Sequence, residues 1–117
     1  MRGAITSLSA GAGTNTATDS YVNNRLTIVG PAKDLKRFYR DERWMAAAGA
    51  RHIELMEHSP DRHAWQFDTD APPLPFLRTV SRQWPSLTFL LDYDCEAEHL
   101  KGLAKARNGR LRHFRIP

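Results

Sequence analysis

The sequence predicts an α+β fold, a two-layer sandwich with two helices on one face of a mostly antiparallel sheet. Three observations lead to this fold class. Residues 87–94 alternate apolar and polar side chains, the pattern of a half-buried strand. Residues 31–49 and 73–84 have helical periodicity and separate strand-like runs. Asn108-Gly109 lies between two further strand-like runs, which predicts a C-terminal β-hairpin.

The length and composition are those of one globular domain, with 117 residues of which 41% are hydrophobic and 26% charged. Residues 1–24 are rich in Gly, Ala, Ser, Thr and Asn and offer few side chains for burial. Because such a segment cannot offset the entropy lost on ordering, we expect a disordered N-terminal tail there. Residues 25–117 are then expected to form a single domain.

The first strand and the first helix follow this tail. Arg25–Val29 is rich in β-branched and aliphatic side chains and is closed by Gly30-Pro31. From that break, apolar side chains recur at three- and four-residue steps, which predicts one amphipathic helix with a left-handed stop at Gly49. We interpret Trp44 as the edge of the buried stripe of this helix.

A second pair of strands is predicted next. Residues 51–57 and 63–68 carry alternating apolar side chains, and residues 58–61 have the composition of a turn. The simplest interpretation is a hairpin that joins these two runs.

The second helix has its own start and stop signals. Thr69 or Asp70 is expected to cap it, and Pro73 suits its first turn, where the missing N–H costs nothing. Trp84-Pro85 ends it, because proline cannot continue a helix.

The register of the C-terminal hairpin follows if Asn108 and Gly109 are its two loop residues. One side of the hairpin then carries Lys101, Leu103, Lys105, Arg107, Arg110, Arg112, Phe114 and Ile116. The other side carries Leu100, Gly102, Ala104, Ala106, Leu111 and His113. We expect the second, smaller and mostly apolar set to pack under the helices, and the first to form a cationic face.

The order of elements is strand, helix, two hairpin strands, helix, strand and hairpin. Two β-α-β units joined through antiparallel strands are typical of a ferredoxin-like sandwich. In that arrangement both helices cover one face of the sheet, and the opposite face is open to solvent or to a partner.

Residues 63–109 also carry a family resemblance. Its elements are Trp65, Phe67-Asp68-Thr69, Pro72-Pro73, Ser81, Trp84-Pro85, Leu87, Phe89, Tyr93, Gly102 and Gly109. Together they resemble the Api92/YubB-like family of phage- and plasmid-associated bacterial proteins, with Trp84 standing where that family usually has Phe. The Trp- and Lys-containing segment that the family has before its Phe-x-Thr element is not recognisable in this sequence. The resemblance implies a ferredoxin-like domain without an established biochemical activity, and it transfers no catalytic residue.

The charge of the chain is unevenly distributed. The net charge is +4, yet residues 25–98 hold more acids than bases. Residues 99–117 hold six Lys and Arg side chains and no acid. Such asymmetry is typical of a surface that binds a polyanion. The candidate binding residues are Lys101, Lys105, Arg107, Arg110, Arg112 and Phe114.

A structural explanation of these cations competes with the functional one. Asp92, Asp94, Glu96 and Glu98 lie on the neighbouring strand and turn, where they could form cross-strand pairs with the cations. Four such pairs would cancel most of the positive field. An acidic protein partner is a further alternative to a nucleic acid.

Catalysis and cofactors find little support in the sequence. The spacing of His52, His58 and His63 is wider than in common metal motifs, and Cys95 has acidic neighbours that disfavour a thiolate. We therefore expect no catalytic site, metal or cofactor. No run of apolar residues is long enough to span a membrane, and a single cysteine suits a reducing cytoplasm.

Three hypotheses about function are open at this point. The first is a small interaction module without a catalytic site, self-associating through the open sheet face. The second is a nucleic-acid-binding domain that uses the basic hairpin. The third is a small-ligand or enzymatic site in a cleft between helix and sheet.

Overall fold

The structure, a computed structural model, describes residues 21–117. Most of the expected disordered tail over residues 1–24 therefore lies outside the described residues. The elements in chain order are β1 (Val22–Val29), α1 (Ala32–Arg40), α2 (Arg43–Ala48), β2 (Arg51–Ser59), β3 (Arg62–Thr69), α3 (Leu74–Gln83), β4 (Thr88–Cys95), a 3-10 turn (Glu96–Glu98), β5 (Leu100–Arg107) and β6 (Arg110–Arg115).

All six strands belong to one sheet with the order β2-β3-β1-β4-β5-β6. Every neighbouring pair is antiparallel. The described part of the chain is thus an α+β domain with a six-stranded antiparallel sheet and three helices, which confirms the predicted class and adds one helix to it.

The first strand begins earlier than predicted, at Val22 instead of Arg25. Val22 and Asn24 are 2% and 1% exposed, so both belong to the interior. The Asn24 amide donates hydrogen bonds to the Phe67 carbonyl at 3.2 Å and to Thr69 Oγ1 at 2.9 Å. These bonds satisfy the buried amide nitrogen of Asn24, whose Oδ1 has no hydrogen-bond partner, and they tie β1 to β3 at a point that composition alone assigns to a polar tail.

The prediction of one helix over residues 31–49 was wrong, because the chain breaks at Asp41 into α1 and α2. The Asp41 carboxylate accepts hydrogen bonds from the backbone amide of Arg43 at 3.3 Å and from its guanidinium at 2.8 Å. A short acidic side chain that bonds the following backbone competes with helix continuation. The bonds from Arg43 also lower the pKa of Asp41 to about 2. The predicted stop at Gly49 is confirmed, with φ of 69°.

The core is built between the helices and one face of the sheet. Phe38 of α1 meets Phe89 of β4 edge to face at 5.5 Å, and Trp44 of α2 meets Trp65 of β3 at 5.4 Å. Aromatic pairs in such geometry add to the free energy of burial. Trp44 is therefore a core residue, deeper than the edge position predicted for it.

The start of α3 also differs from the prediction. Neither Thr69 nor Asp70 caps the helix; its N-cap is Pro73, with no side-chain hydrogen bond. Thr69 Oγ1 instead donates to the Ala71 carbonyl at 2.7 Å and accepts from Asn24. The predicted end is confirmed, since the helix closes with the Trp84 amide bonded to the carbonyl of Val80.

The C-terminal hairpin has the predicted register. Leu103 lies opposite Phe114, Lys105 opposite Arg112, and Arg107 opposite Arg110. Asn108 and Gly109 have φ of 51° and 81°, the left-handed pair that a two-residue type I′ loop requires. The hairpin therefore places its two sets of side chains on opposite faces of the sheet, as expected.

Candidate functional site: the open face of the sheet

The face of the sheet that no helix covers is called the open face here. Along β5 and β6, its side chains form a surface that we call the cationic hairpin face, consisting of Lys101, Leu103, Lys105, Arg107, Arg110, Arg112, Phe114 and Ile116. All of them are exposed. The six residues proposed from the sequence as a polyanion site thus lie together on one surface.

Two side-chain contacts add to the β4–β5 pairing that joins this hairpin to the rest of the domain. The Gly109 amide donates to Ser81 Oγ of α3 at 2.9 Å. On the covered side of the sheet, the Tyr93 hydroxyl of β4 lies 2.6 Å from His113 Nε2 of β6. A Cβ on Gly102 would lie 2.3 Å from the Tyr93 hydroxyl oxygen, so glycine at this position of β5 lets the tyrosine reach across. The hairpin is fixed on its covered side, which leaves the cationic side free to contact a partner.

Phe114 is an exposed aromatic residue in the middle of positive charge. Its side chain is 65% exposed, and that of Leu103, opposite it on β5, is 45% exposed. The neighbouring cross-strand pair is Lys105 with Arg112. An exposed ring flanked by cations can stack on a planar group while the cations bind anions.

Two of the acids expected to neutralise these cations lie beside the hairpin on β4. Asp94 lies opposite Lys101, and Asp92 opposite Leu103. Within residues 21–117, no ion pair joins Asp92, Asp94, Glu96 or Glu98 to a Lys or Arg of the hairpin. The ion pairs of this part of the chain are Arg37–Asp34, Arg43–Asp41, Arg51–Asp70 and His52–Asp68. The predicted cross-strand ion pairs are therefore not formed among the described residues, although Asp94 directly opposite Lys101 still reduces the positive charge at that end of the hairpin.

A depression of about 460 Å³ lies on the open face beside the hairpin. Its apolar floor includes Leu90 and Leu103, and its rim carries charged side chains. The residues that line it from β1, β4, β5 and β6 include Arg25, Thr27, Leu90, Asp92, Leu103, Lys105, Arg112 and Phe114.

Sequence reasoning placed Asp92 beside the hairpin only as a possible counter-charge, and it missed Arg25 as a member of this surface. Arg25 alternates with buried neighbours, so the side on which it lies could have been inferred. Its proximity to the hairpin depends on β4 lying between β1 and β5, and pattern does not determine that order.

The three histidines considered as metal ligands lie apart, with His52 beside a carboxylate and His58 beside His63. His52, at a left-handed φ of 56° where β2 bulges, places Nδ1 2.8 Å from the carboxylate of Asp68. The rings of His58 and His63 are 4.5 Å apart. Burial, and then the neighbouring His58, lower the pKa of His63. No group of three potential metal ligands comes together within residues 21–117.

A second concavity lies in the helix layer, between α1 and α2 on one side and α3 on the other. This helix cleft measures about 680 Å³ and has aromatic walls from Phe38, Trp44, Phe76 and Trp84. Trp44 is buried, and its indole N–H has no hydrogen-bond acceptor. The cleft lies between helices, not between helix and sheet as predicted.

No protein-family model, curated protein or solved structure matches this chain. The resemblance of residues 63–109 to the Api92/YubB-like family therefore stays a prediction. None of the helices in the described part of the chain has the length and apolar character needed to cross a membrane.

Proposed function

We propose that this domain binds single-stranded nucleic acid across the cationic hairpin face. The observation that carries the proposal is Phe114, exposed on the edge strand β6 of a surface whose Lys and Arg side chains form no ion pair within residues 21–117. Open antiparallel sheets with exposed aromatic residues are a common way to bind unpaired bases.

The energetics of such a surface favour a polyanion. Lys105 faces Arg112 and Arg107 faces Arg110, and like charges directly opposite each other destabilise a sheet. A phosphate backbone relieves that repulsion and releases its counterions, so its affinity falls steeply with salt. Stacking of one base on Phe114 adds about 1–3 kcal/mol.

A single strand fits this surface better than a duplex. The bases of a single strand can splay outward and lie flat on an exposed ring, whereas duplex bases are already stacked on one another. The depression beside Phe114 provides an apolar floor for such a base.

We also propose that the fold is ferredoxin-like and extended by the hairpin. Its first four strands have the order β2-β3-β1-β4, with helical segments after β1 and after β3. Strands β5 and β6 then add to the β4 edge of that unit. This assignment agrees with the fold that the family resemblance implies.

Self-association or an acidic protein partner are the competing uses of the open face. Arg110 and Arg112 lie on β6, an edge strand of the sheet. Charged side chains on an edge strand oppose pairing with a second copy of that strand. Sedimentation of the free protein distinguishes self-association from nucleic-acid binding, because self-association would give a dimer or larger species without any added nucleic acid.

The test is fluorescence anisotropy with labelled single-stranded oligomers of about ten nucleotides, RNA and DNA, at about 50 mM and about 300 mM salt. The variant R107S/R110S/R112S removes three cations from the hairpin. The matched control K33S/K36S/R40S removes three exposed cations from α1, which lies on the covered side. We expect affinity to fall with salt and to be lost in the hairpin variant alone.

Two results would count against this function. Absence of binding at low salt would refute it directly. Equal loss of affinity in both triple variants would show attraction by net charge, with no defined surface. The variant F114A separates stacking from charge, because it should weaken binding without changing the salt dependence.

A small-ligand site in the helix cleft is the second candidate function. The cleft volume lies within the range of small-molecule sites, and its aromatic walls suit a planar compound. Because Ala47 lines the cleft, A47W would fill it. A compound that raises the melting temperature of the natural protein and not that of A47W would support this site.

A further inference from the structure

We propose that Asp92 makes the open face selective for guanine among the bases of a bound single strand. The inference rests on the proposed function. Its starting point is one row of side chains across four strands, in which Arg25 of β1 lies opposite Asp92 of β4, Asp92 opposite Leu103 of β5, and Leu103 opposite Phe114 of β6. All four line the depression beside the hairpin.

Asp92 is the acidic member of this lining. It is exposed, and within residues 21–117 it forms no ion pair. A carboxylate repels phosphate and can only accept hydrogen bonds, so it does not bind the backbone of a nucleic acid. It can bind a base that presents hydrogen-bond donors.

Guanine presents the donors that best match a carboxylate. Its Watson–Crick edge carries N1–H beside an exocyclic N2–H, so both oxygens of one carboxylate can accept at once. Uracil offers a single N–H between two carbonyl oxygens that repel the carboxylate. Cytosine and adenine each place an amino group beside a ring nitrogen that is an acceptor. In a single strand this edge is unpaired and available for such contacts.

The dimensions of the row suit a purine. Phe114 and Asp92 lie two strands apart, a backbone separation of about 10 Å. A purine that contacts the exposed Phe114 ring can lie over Leu103 and turn its Watson–Crick edge toward Asp92. Lys105 lies in the adjoining row, two residues along β5 from Leu103, and can donate to the guanine O6.

The test uses uridine oligomers of about nine nucleotides with one central guanosine, inosine, adenosine, cytidine or uridine. Inosine keeps N1–H and lacks the N2 amino group. Dissociation constants are measured by anisotropy for the natural chain, D92N, and D94N as the matched control on the same strand and face. We expect the natural protein to prefer guanosine over uridine by about tenfold, with inosine between them. D92N should lose that preference and D94N should keep it.

The outcomes distinguish the proposed role of Asp92 from the proposed binding of single-stranded nucleic acid. Salt-dependent binding with equal affinity for all five oligomers would overturn the role of Asp92 and leave the nucleic-acid surface intact. A guanosine preference that survives in D92N, or that D94N removes equally, would overturn the assignment to Asp92. Failure of every oligomer to bind the natural protein would overturn both.

Discussion

The backbone amide of Gly109 donates a 2.9 Å hydrogen bond to the side-chain oxygen of Ser81. The same hydroxyl donates to the Arg78 carbonyl at 3.0 Å, one turn back in α3. A fully buried serine is thereby satisfied both as donor and as acceptor. This contact fastens the loop of the cationic hairpin to the helix layer and sets the position of the proposed binding surface.

Replacement of Ser81 by alanine should destabilise the domain and loosen the hairpin loop. The Gly109 amide would lose its acceptor, at a cost of about 1–3 kcal/mol in the free energy of unfolding. Urea denaturation measures the loss, and hydrogen exchange should show faster exchange of the Gly109 amide. T79A, at an exposed position of the same helix, is the control and should change little. Unchanged exchange at Gly109 in S81A would contradict this account.

Replacement of Gly102 by alanine should be more costly. The added Cβ would lie 2.3 Å from the Tyr93 hydroxyl oxygen and 2.4 Å from its ring carbon Cζ, so the tyrosine must move and its contact with His113 is lost. We expect about 3 kcal/mol of destabilisation in thermal or urea unfolding. The same change in a Y93A background should cost much less, since the clash has gone. An equal cost in both backgrounds would show that the clash with Tyr93 is not the cause.

The like-charged pairs of the hairpin should cost stability while they support binding. Changing Arg110 and Arg112 to threonine removes one member from each cross-strand pair. We expect unfolding free energy at low salt to rise by about 0.2–1 kcal/mol per pair, and oligonucleotide affinity to fall. Arg115 lies opposite Gly102 on the other side of the sheet, so R115T is the control and should raise stability less. If the double variant is less stable than the natural protein at low salt, the repulsion that we infer is absent.

The stability of the domain should decrease in mild acid partly because of His63. Its pKa is lowered by burial and by His58, so the unfolded chain takes up a proton more readily than the folded one. His63 therefore contributes its full stabilisation above the pKa of the unfolded chain, about 6.5. This contribution is lost as the pH falls from that pKa to the lower pKa of the folded domain. The loss of unfolding free energy between about pH 7.5 and about pH 5.5 should be smaller in H63F than in the natural protein. H99N, at an exposed turn, should behave as the natural protein does, and identical pH profiles for H63F and the natural protein would exclude the effect.

Local rules predicted much of the fold. The hairpin register followed from Asn108-Gly109 alone, because a two-residue loop fixes the pairing of the strands beside it. The helix ends at Gly49 and at Trp84 likewise each depend on one residue, a glycine in the left-handed conformation and the proline that follows Trp84. The break at Asp41 was missed, since a side chain that accepts a hydrogen bond from the backbone two residues on interrupts a helix without changing the periodicity of its apolar residues.

The part of the candidate site that depends on local rules was predicted, and the part that depends on long-range packing was not. The cations of the cationic hairpin face lie on one side of the sheet by alternation and loop geometry, both of which are local. The lack of ion pairs with Asp92 and Asp94 depends on how β4 packs beside β5, and the contribution of Arg25 depends on the strand order of the whole sheet. Those relationships join residues far apart in sequence, so pattern alone cannot give them.

The central position of β1 has a consequence for how the chain folds as it is synthesised. Its two neighbours, β3 and β4, are both made after it, and the second is complete only when Cys95 has been added. Until then β1 can pair only with β3, so Leu26 and Ile28, fully buried in the folded domain, lie in a strand with one unpaired edge. A nascent chain of this topology must therefore carry β1 with that edge unpaired while the residues up to Cys95 are added, at about 5–20 residues per second. Closure of the sheet around β1 is then a late and non-local event, of the kind that makes β-rich domains fold slowly.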